Sequence, residues 1–388
     1  MIPGVLVPLV SDLAAARGPA AAFVGMGVVW GSFMAAMPDI KAALGVSDGA
    51  MGVLLIWGSV AAIATMSLAA RLGPGLGRAA VPGTAVLMAL ALGLMAAVGS
   101  VLGFVLALMA MGMASGALDI FMNARLSTIE GARGRSLMNL GHGLYSLAFA
   151  AGAALTGLAR AGGWSAAAIL GTAAALAAAL GLAAAERDGW IDGLRGAGRG
   201  KGRGGLGLVP WLGGALILAG LMSENAVEAW SALYIERDLG GAVGAGSLAP
   251  AVLGLTMGFG RLVGQGVAAR VPERRLLGGG LSVAVAGVVL VALAPGPGWA
   301  YAGFVVLGLG GAVVVPTALA LTGRLADPAQ RGRAIARATV LGYLGYFLGP
   351  PMLGLVAELA GLRAAFGVVA LVLALSMLAA RGLWRRAG

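Results

Sequence analysis

The chain has 388 residues, of which 60% are hydrophobic and only 11% charged, with a formal net charge of +11. These proportions and a strongly positive mean hydropathy lie outside the range of soluble domains and define an integral membrane protein. The absence of cysteine excludes disulfides, thiolate catalysis and Cys-based metal sites.

Ten stretches are free of Asp, Glu, Lys, Arg and His, and two of them, 79–118 and 276–323, are about twice the ~20 residues that cross a bilayer. Each long stretch has a turn signal near its middle, Gly99-Ser100 in one and Pro295-Gly296-Pro297-Gly298 in the other, so twelve spans are expected. The alternation of a membrane β-barrel is not seen. The opening MIPGVLVPLVSDLAAARG lacks a basic start and a long apolar run, and does not read as a secretory signal. With a cytoplasmic amino terminus, only Lys41, Arg160, Arg237 and Arg363 of the 26 basic residues fall in outer segments, and Arg261 falls within a span. That bias places both termini in the cytoplasm and makes the positive charge a signal for insertion and anionic lipid, not for nucleic acid.

In chain order, span 1 (about Pro19 to Ala43) carries Trp30 and Ser32 near mid-depth and Pro38-Asp39 toward its outer end. Ser47 is placed to cap span 2. Span 4 sets Ser115, Asp119 and Asn123 at successive i, i+4 positions of one face. Span 5 follows ARGRSLMN and carries His142, Tyr145 and Ser146. The segment from Glu186 to Gly207 is polar, rich in Gly and Arg, and reads as a flexible cytoplasmic linker between a first bundle, 1–185, and a second, 208–388. Span 7 contains LMSENAVEAWSALYIERD, with Glu224 and Glu228 one turn apart and Asn225, Trp230 and Tyr234 close by.

The second half slides onto the first. At an offset of 199, Arg125 meets Arg324; at 198, Arg133-Gly134-Arg135 meets Arg331-Gly332-Arg333, Tyr145 meets Tyr343 and Gly163 meets Gly361. Six spans per half make the repeats parallel. The fold expected is an all-α polytopic membrane protein of twelve transmembrane helices in two parallel six-helix repeats.

Over essentially its whole length the sequence resembles the major facilitator superfamily: twelve spans, a 6+6 repeat, a central inner linker and arginine-bearing loops. More narrowly, GALDIFMNARLSTIE, GRSLMNLGHGLYSL, SENAVEAWSALYIERDLG, GFGRLVGQ and VLGYLGYFLGPP resemble the bacterial branch near the fucose-permease-like carriers. The loop ARLGPGLGRA keeps the glycines and arginines of the superfamily's signature between helices 2 and 3 but lacks its aspartate. The Gly-Pro signature of drug/proton antiporters is missing from helix 5, where AFAAGAALTG stands. The resemblance implies a multi-pass protein of the bacterial inner membrane, a monomer without cofactor, that moves a small solute by alternating access.

Ionised carboxylates within a bilayer cost ~2.5 kcal/mol or more, so those present mark function or a fixed partner. Glu224, Asp119, Glu228 and His142 are the candidates for proton coupling, and Glu224 ranks above Glu228 because it lies nearer the middle of the first span of the second half. Static pairing or packing is the competing reading for each. Arg261 cannot lose its proton and must pair with Glu224 or an anionic substrate group, or snorkel. Trp30, Asn123, Tyr145, Asn225, Trp230, Tyr343 and Tyr346 join it as substrate contacts, against plain packing. On the matching inner loops, Arg125, Arg133 and Arg135 with Glu130, and Arg324, Arg331 and Arg333 with Asp327, are read as ion pairs that gate the inner side, or as topology signals alone. Protons are the expected coupling ion, ahead of sodium, and symport is preferred to proton-coupled efflux of drugs or metabolites. A polytopic membrane enzyme lacks its catalytic constellation here, and a transport-derived sensor lacks a soluble output segment. The sequence does not name the substrate.

Overall fold

Apolar runs of about 20 residues in lipid satisfy their backbone polar groups only as helices, and the computed structural model is helical throughout the residues it describes, 11–133, 137–191, 206–268, 271–327 and 330–387. Most of the expected linker, 192–205, and most of the opening segment lie outside the described residues. The helices are α1 (Arg17–Ala35), α2 (Met37–Leu44), α3 (Asp48–Leu76), α4 (Ala80–Ala97), α5 (Val101–Arg133), α6 (Met138–Ala161) and α7 (Ala166–Ala183). They continue with α8 (Val209–Leu233), α9 (Leu248–Ala268), α10 (Glu273–Ala292), α11 (Pro297–Gly311) and α12 (Val314–Leu325). The run Arg331–Ala387 divides at Gly361 (φ 81°) into α13 (331–360) and α14 (362–387).

Among the described residues, nine helical runs are long and apolar enough to cross a membrane, the longest of them being α13 and α14 together. The two remaining long helices, α8 and α9, hold Glu224, Glu228 and Arg261, which lower their apolarity. With α1–α2 and α11–α12 each forming one interrupted span, the architecture has the twelve crossings expected. Gly99-Ser100 falls between α4 and α5, Pro295-Gly296 falls between α10 and α11 with Pro297-Gly298 opening α11, and Ser47 caps α3 by accepting a hydrogen bond from the Ala50 amide (3.2 Å). At 33 residues, α5 is about 50 Å long, more than the hydrocarbon thickness.

The chain forms two compact units. One holds the described residues up to Leu44 and from Trp57 to 191; the other holds Gly45–Ile56 and the described residues from 206 onward. In the first unit α1 packs along α6, and in the second α8 packs along α13. Glycine makes both approaches possible: a Cβ at Gly31 would strike the Phe149 carbonyl, and one at Gly345 would strike the Leu218 carbonyl. The repeat register is visible in the backbone. Gly163 and Gly361, 198 residues apart, are both left-handed, at φ 79° and 81°. The break after α1, at Ala36, lies 198 residues before Tyr234, where α8 passes into a π-helical turn, Tyr234–Asp238.

In the first unit, the end of α6 is tied to α2 by Arg160, whose guanidinium donates from Nε and Nη2 to the two carboxylate oxygens of Asp39, both at 2.7 Å. The Arg160 side chain is 1% exposed. Removing one partner of such a pair leaves a buried charge uncompensated, so Asp39→Ala should destabilise the protein by about 3 kcal/mol, read as a clear fall in the melting temperature of the purified protein. The double variant Asp39→Ala/Arg160→Met should recover most of that loss.

Candidate functional site

α8 is the most enclosed helix of the second unit, buried at nearly every residue from Met222 to Leu233. An α-helix turns 3.6 residues per turn, so Glu224 and Glu228 share a face, yet their neighbours differ. Glu228 is 9% exposed, and its Oε2 accepts a hydrogen bond from the Tyr346 hydroxyl of α13 at 3.2 Å. The Oε1 of Glu224 lies 3.6 Å from Nη2 of Arg261 on α9, with side chains 22% and 39% exposed. Glu228 is also within electrostatic range of Glu224 and Arg261. Four residues singled out in the sequence, from α8, α9 and α13, thus come together as two carboxyls, one phenol and one guanidinium.

The other candidates of this unit divide. Asn225 and Trp230 are each 2% exposed, and Asn225 Oδ1 and Trp230 Nε1 have no hydrogen-bond partner among the described residues. Trp230 packs against Gly354 of α13. Tyr343 is partly exposed and stacks on Phe347 (5.8 Å), which also meets Tyr346 edge-on (5.9 Å).

In the first unit, the i, i+4 strip of α5 forms as the spacing predicts. Asn123 Nδ2 donates to Asp119 Oδ1 (3.0 Å) and to the Asp119 carbonyl (2.8 Å), and Trp30 Nε1 donates to Ser115 Oγ (3.1 Å). His142 is exposed and meets Phe23 edge-on at 5.2 Å; Tyr145 lies 6.1 Å from Phe149.

The arginine loops acquire partners that spacing did not indicate. Arg125 is buried, and its Nε donates to Glu186 Oε2 (2.7 Å) while Nη1 donates to the Trp190 carbonyl (3.0 Å). Glu130 Oε1 accepts from the amides of Leu137 and Met138, closing the amino end of α6. Arg133 reaches Ser11 (2.8 Å), and Arg135 lies outside the described residues. In the second unit Arg324 pairs with Glu273, and Arg331 Nε donates to the Gly323 carbonyl (2.8 Å). Arg333 is exposed in the first turn of α13, and the Asp327 carbonyl accepts from the Gln330 amide.

Further charged residues that were not singled out as candidates for function include Asp39 and Arg160, described above, and Asp48, Arg237 and Glu358. Arg237 Nη1 donates to Asp48 Oδ2 (2.7 Å), and Glu358 Oε2 accepts from the Ser47 hydroxyl and the Gly49 amide, both at 2.6 Å. The repeat register held the signal, since 198 residues separate Asp39 from Arg237 and Arg160 from Glu358.

Comparison with known proteins agrees with this architecture. The model of the Major Facilitator Superfamily matches residues 212–387. An MFS-type transporter of Yersinia pestis is 30% identical over 292 residues, 72% of each chain. The fold is also that of a bacterial homolog of the human lysosomal transporter Spinster (TM-score 0.74, 14% identity, 97% of each chain) and of the nucleoside transporter NupG (TM-score 0.74, 14% identity, 96% of this chain and 98% of that one). The chain therefore belongs to the major facilitator superfamily. It is a multi-pass membrane transporter, not an enzyme.

The arginine environments yield a contrast. Arg125 bridges a carboxylate and a carbonyl in a fork that lysine cannot reproduce, whereas Arg324 is 57% exposed. Arg125→Lys should lower stability by about 1–2 kcal/mol and Arg324→Lys by no more than about 0.5 kcal/mol, compared by thermal melting.

Proposed function

We propose that the protein is a proton-coupled symporter for a small polar solute and that Glu228 carries the proton. What supports this is the division of partners on α8. Glu224 faces the Arg261 guanidinium at 3.6 Å, so protonating it would remove a counter-charge from that arginine. Glu228 faces a neutral phenol, which donates to the carboxylate and to the protonated acid alike. A proton can therefore arrive at and leave Oε1 or Oε2 of Glu228 without uncovering a fixed charge. Glu224, ranked first by its position in the span, becomes the counter-ion that holds Arg261.

In this reading the solute meets the polar strip Ser115, Asp119 and Asn123 beside Trp30 of the first unit. Hydroxyl-bearing, sugar-like molecules suit such a set of amides, acids and aromatics, in keeping with the resemblance to the fucose-permease-like carriers. The chain works as a monomer in the bacterial inner membrane with both termini in the cytoplasm. Its halves, 1–185 and 208–388, joined by the linker 186–207, alternate access.

Purified protein in liposomes under an imposed pH gradient tests the reading. A panel of sugars and polyols should contain a solute that collapses the gradient. Glu228→Gln should lower gradient-driven uptake at least about tenfold while retaining solute exchange at equal pH, because a fixed neutral side chain mimics the loaded carrier. Asp119→Asn should weaken apparent solute affinity instead. Full gradient-driven uptake by Glu228→Gln would refute the assignment.

A further inference from the structure

The two units treat equivalent charged positions differently. At an offset of 198, the pair Asp39 and Arg160 corresponds to Arg237 and Glu358, with the charges exchanged. This register is the one shared by the left-handed glycines Gly163 and Gly361, three residues beyond Arg160 and Glu358. In the first unit Asp39 and Arg160 bind each other with two bonds of 2.7 Å. In the second unit the counterparts instead bind the amino end of α3. Arg237 donates to both carboxylate oxygens of Asp48 (3.0 and 2.7 Å), and Glu358 accepts from Ser47 and Gly49. Asp48 is 6% exposed and Met51 is fully buried. The approach is close: a Cβ on Gly52 would press on Pro350 and Pro351, and one on Gly354 would press on the Asp48 carbonyl.

From this we infer that Arg237 and Glu358 are a latent ion pair and that residues Ser47 to Gly52 occupy its two halves as a competitor. While these turns are docked, Arg237 holds Asp48 and Glu358 holds Ser47 and Gly49. When they leave, Arg237 and Glu358 close on each other as Asp39 and Arg160 do. Arg237 is part-exposed and its Nε stays on the Asp238 carboxylate (2.6 Å), so the exchange concerns its other guanidinium nitrogens and Glu358, each of which trades one polar contact for another. Docking and release thus differ little in electrostatic energy, which is what a contact made and broken in every transport cycle requires. Asp48, Arg237 and Glu358 are positioning residues for that cycle, and the inference does not depend on which group carries the proton.

Because the chain has no cysteine, a single Met51→Cys reports release through its rate of reaction with a small maleimide. In that background Asp48→Asn and Arg237→Asp should each accelerate labelling, by about tenfold for Arg237→Asp, and Arg237→Asp should lower the melting temperature. Adding Glu358→Arg to Arg237→Asp recreates the polarity of Asp39 and Arg160. The double variant should label as fast as Arg237→Asp alone but recover most of the lost thermal stability. Labelling of Arg237→Asp or Asp48→Asn at the parent rate would overturn the hold on α3. A double variant that labels at the parent rate, or melts with Arg237→Asp, would overturn the latent pair.

Discussion

A charge inside these helices must have a partner, because the apolar surroundings give it no water to lean on. The identity of that partner sorts the ionisable residues into roles. Arg160 and Arg125 are buried against carboxylates, Asp39 and Glu186, and hold the ends of helices together. Arg237 and Glu358 hold the start of a helix that belongs elsewhere in the sequence. Among the described residues, Glu228 and not Glu224 has a neutral hydrogen-bond donor, Tyr346, and that difference carries the proposed chemistry.

Close helix packing makes these partnerships possible. The glycines that let α1 lie on α6 and α8 lie on α13 bring residues more than a hundred positions apart to hydrogen-bonding distance, Asp39 to Arg160 and Glu228 to Tyr346. The repeat supplies the same scaffold twice, and the sequence places different charges on it. Position 39 is an aspartate and position 237 an arginine, so one scaffold closes on itself while the other remains available to α3.

Much of the fold was legible because it follows from hydropathy and turn chemistry. Charge-free stretches marked the spans, Gly99-Ser100 and Pro295 to Gly298 marked the divisions inside the two long ones, and Ser47 marked the start of α3. The break at Ala36, which separates α1 from α2, has no such signal, since the proline comes two residues later. The site was legible in its membership and in one pairing, Arg261 with Glu224, but not in the others. Arg125, expected to pair with Glu130, found Glu186, 61 residues away, while Glu130 satisfied backbone amides. Helical spacing set Glu224 and Glu228 on one face, and position in the span ranked Glu224 first. Tertiary packing, which brings Arg261 to one and Tyr346 to the other, supports the reverse order.

The most direct measurement of the central assignment is the infrared difference spectrum of the protein in lipid between alkaline and acidic buffer, which resolves the carbonyl stretch of carboxylic acids that gain a proton. The account predicts a band that Glu228→Gln removes, that Glu224→Gln leaves in place and that Tyr346→Phe shifts, since the phenol is bonded to the acid. A band unchanged in Glu228→Gln and absent in Glu224→Gln would contradict it and return the proton to the carboxylate facing Arg261.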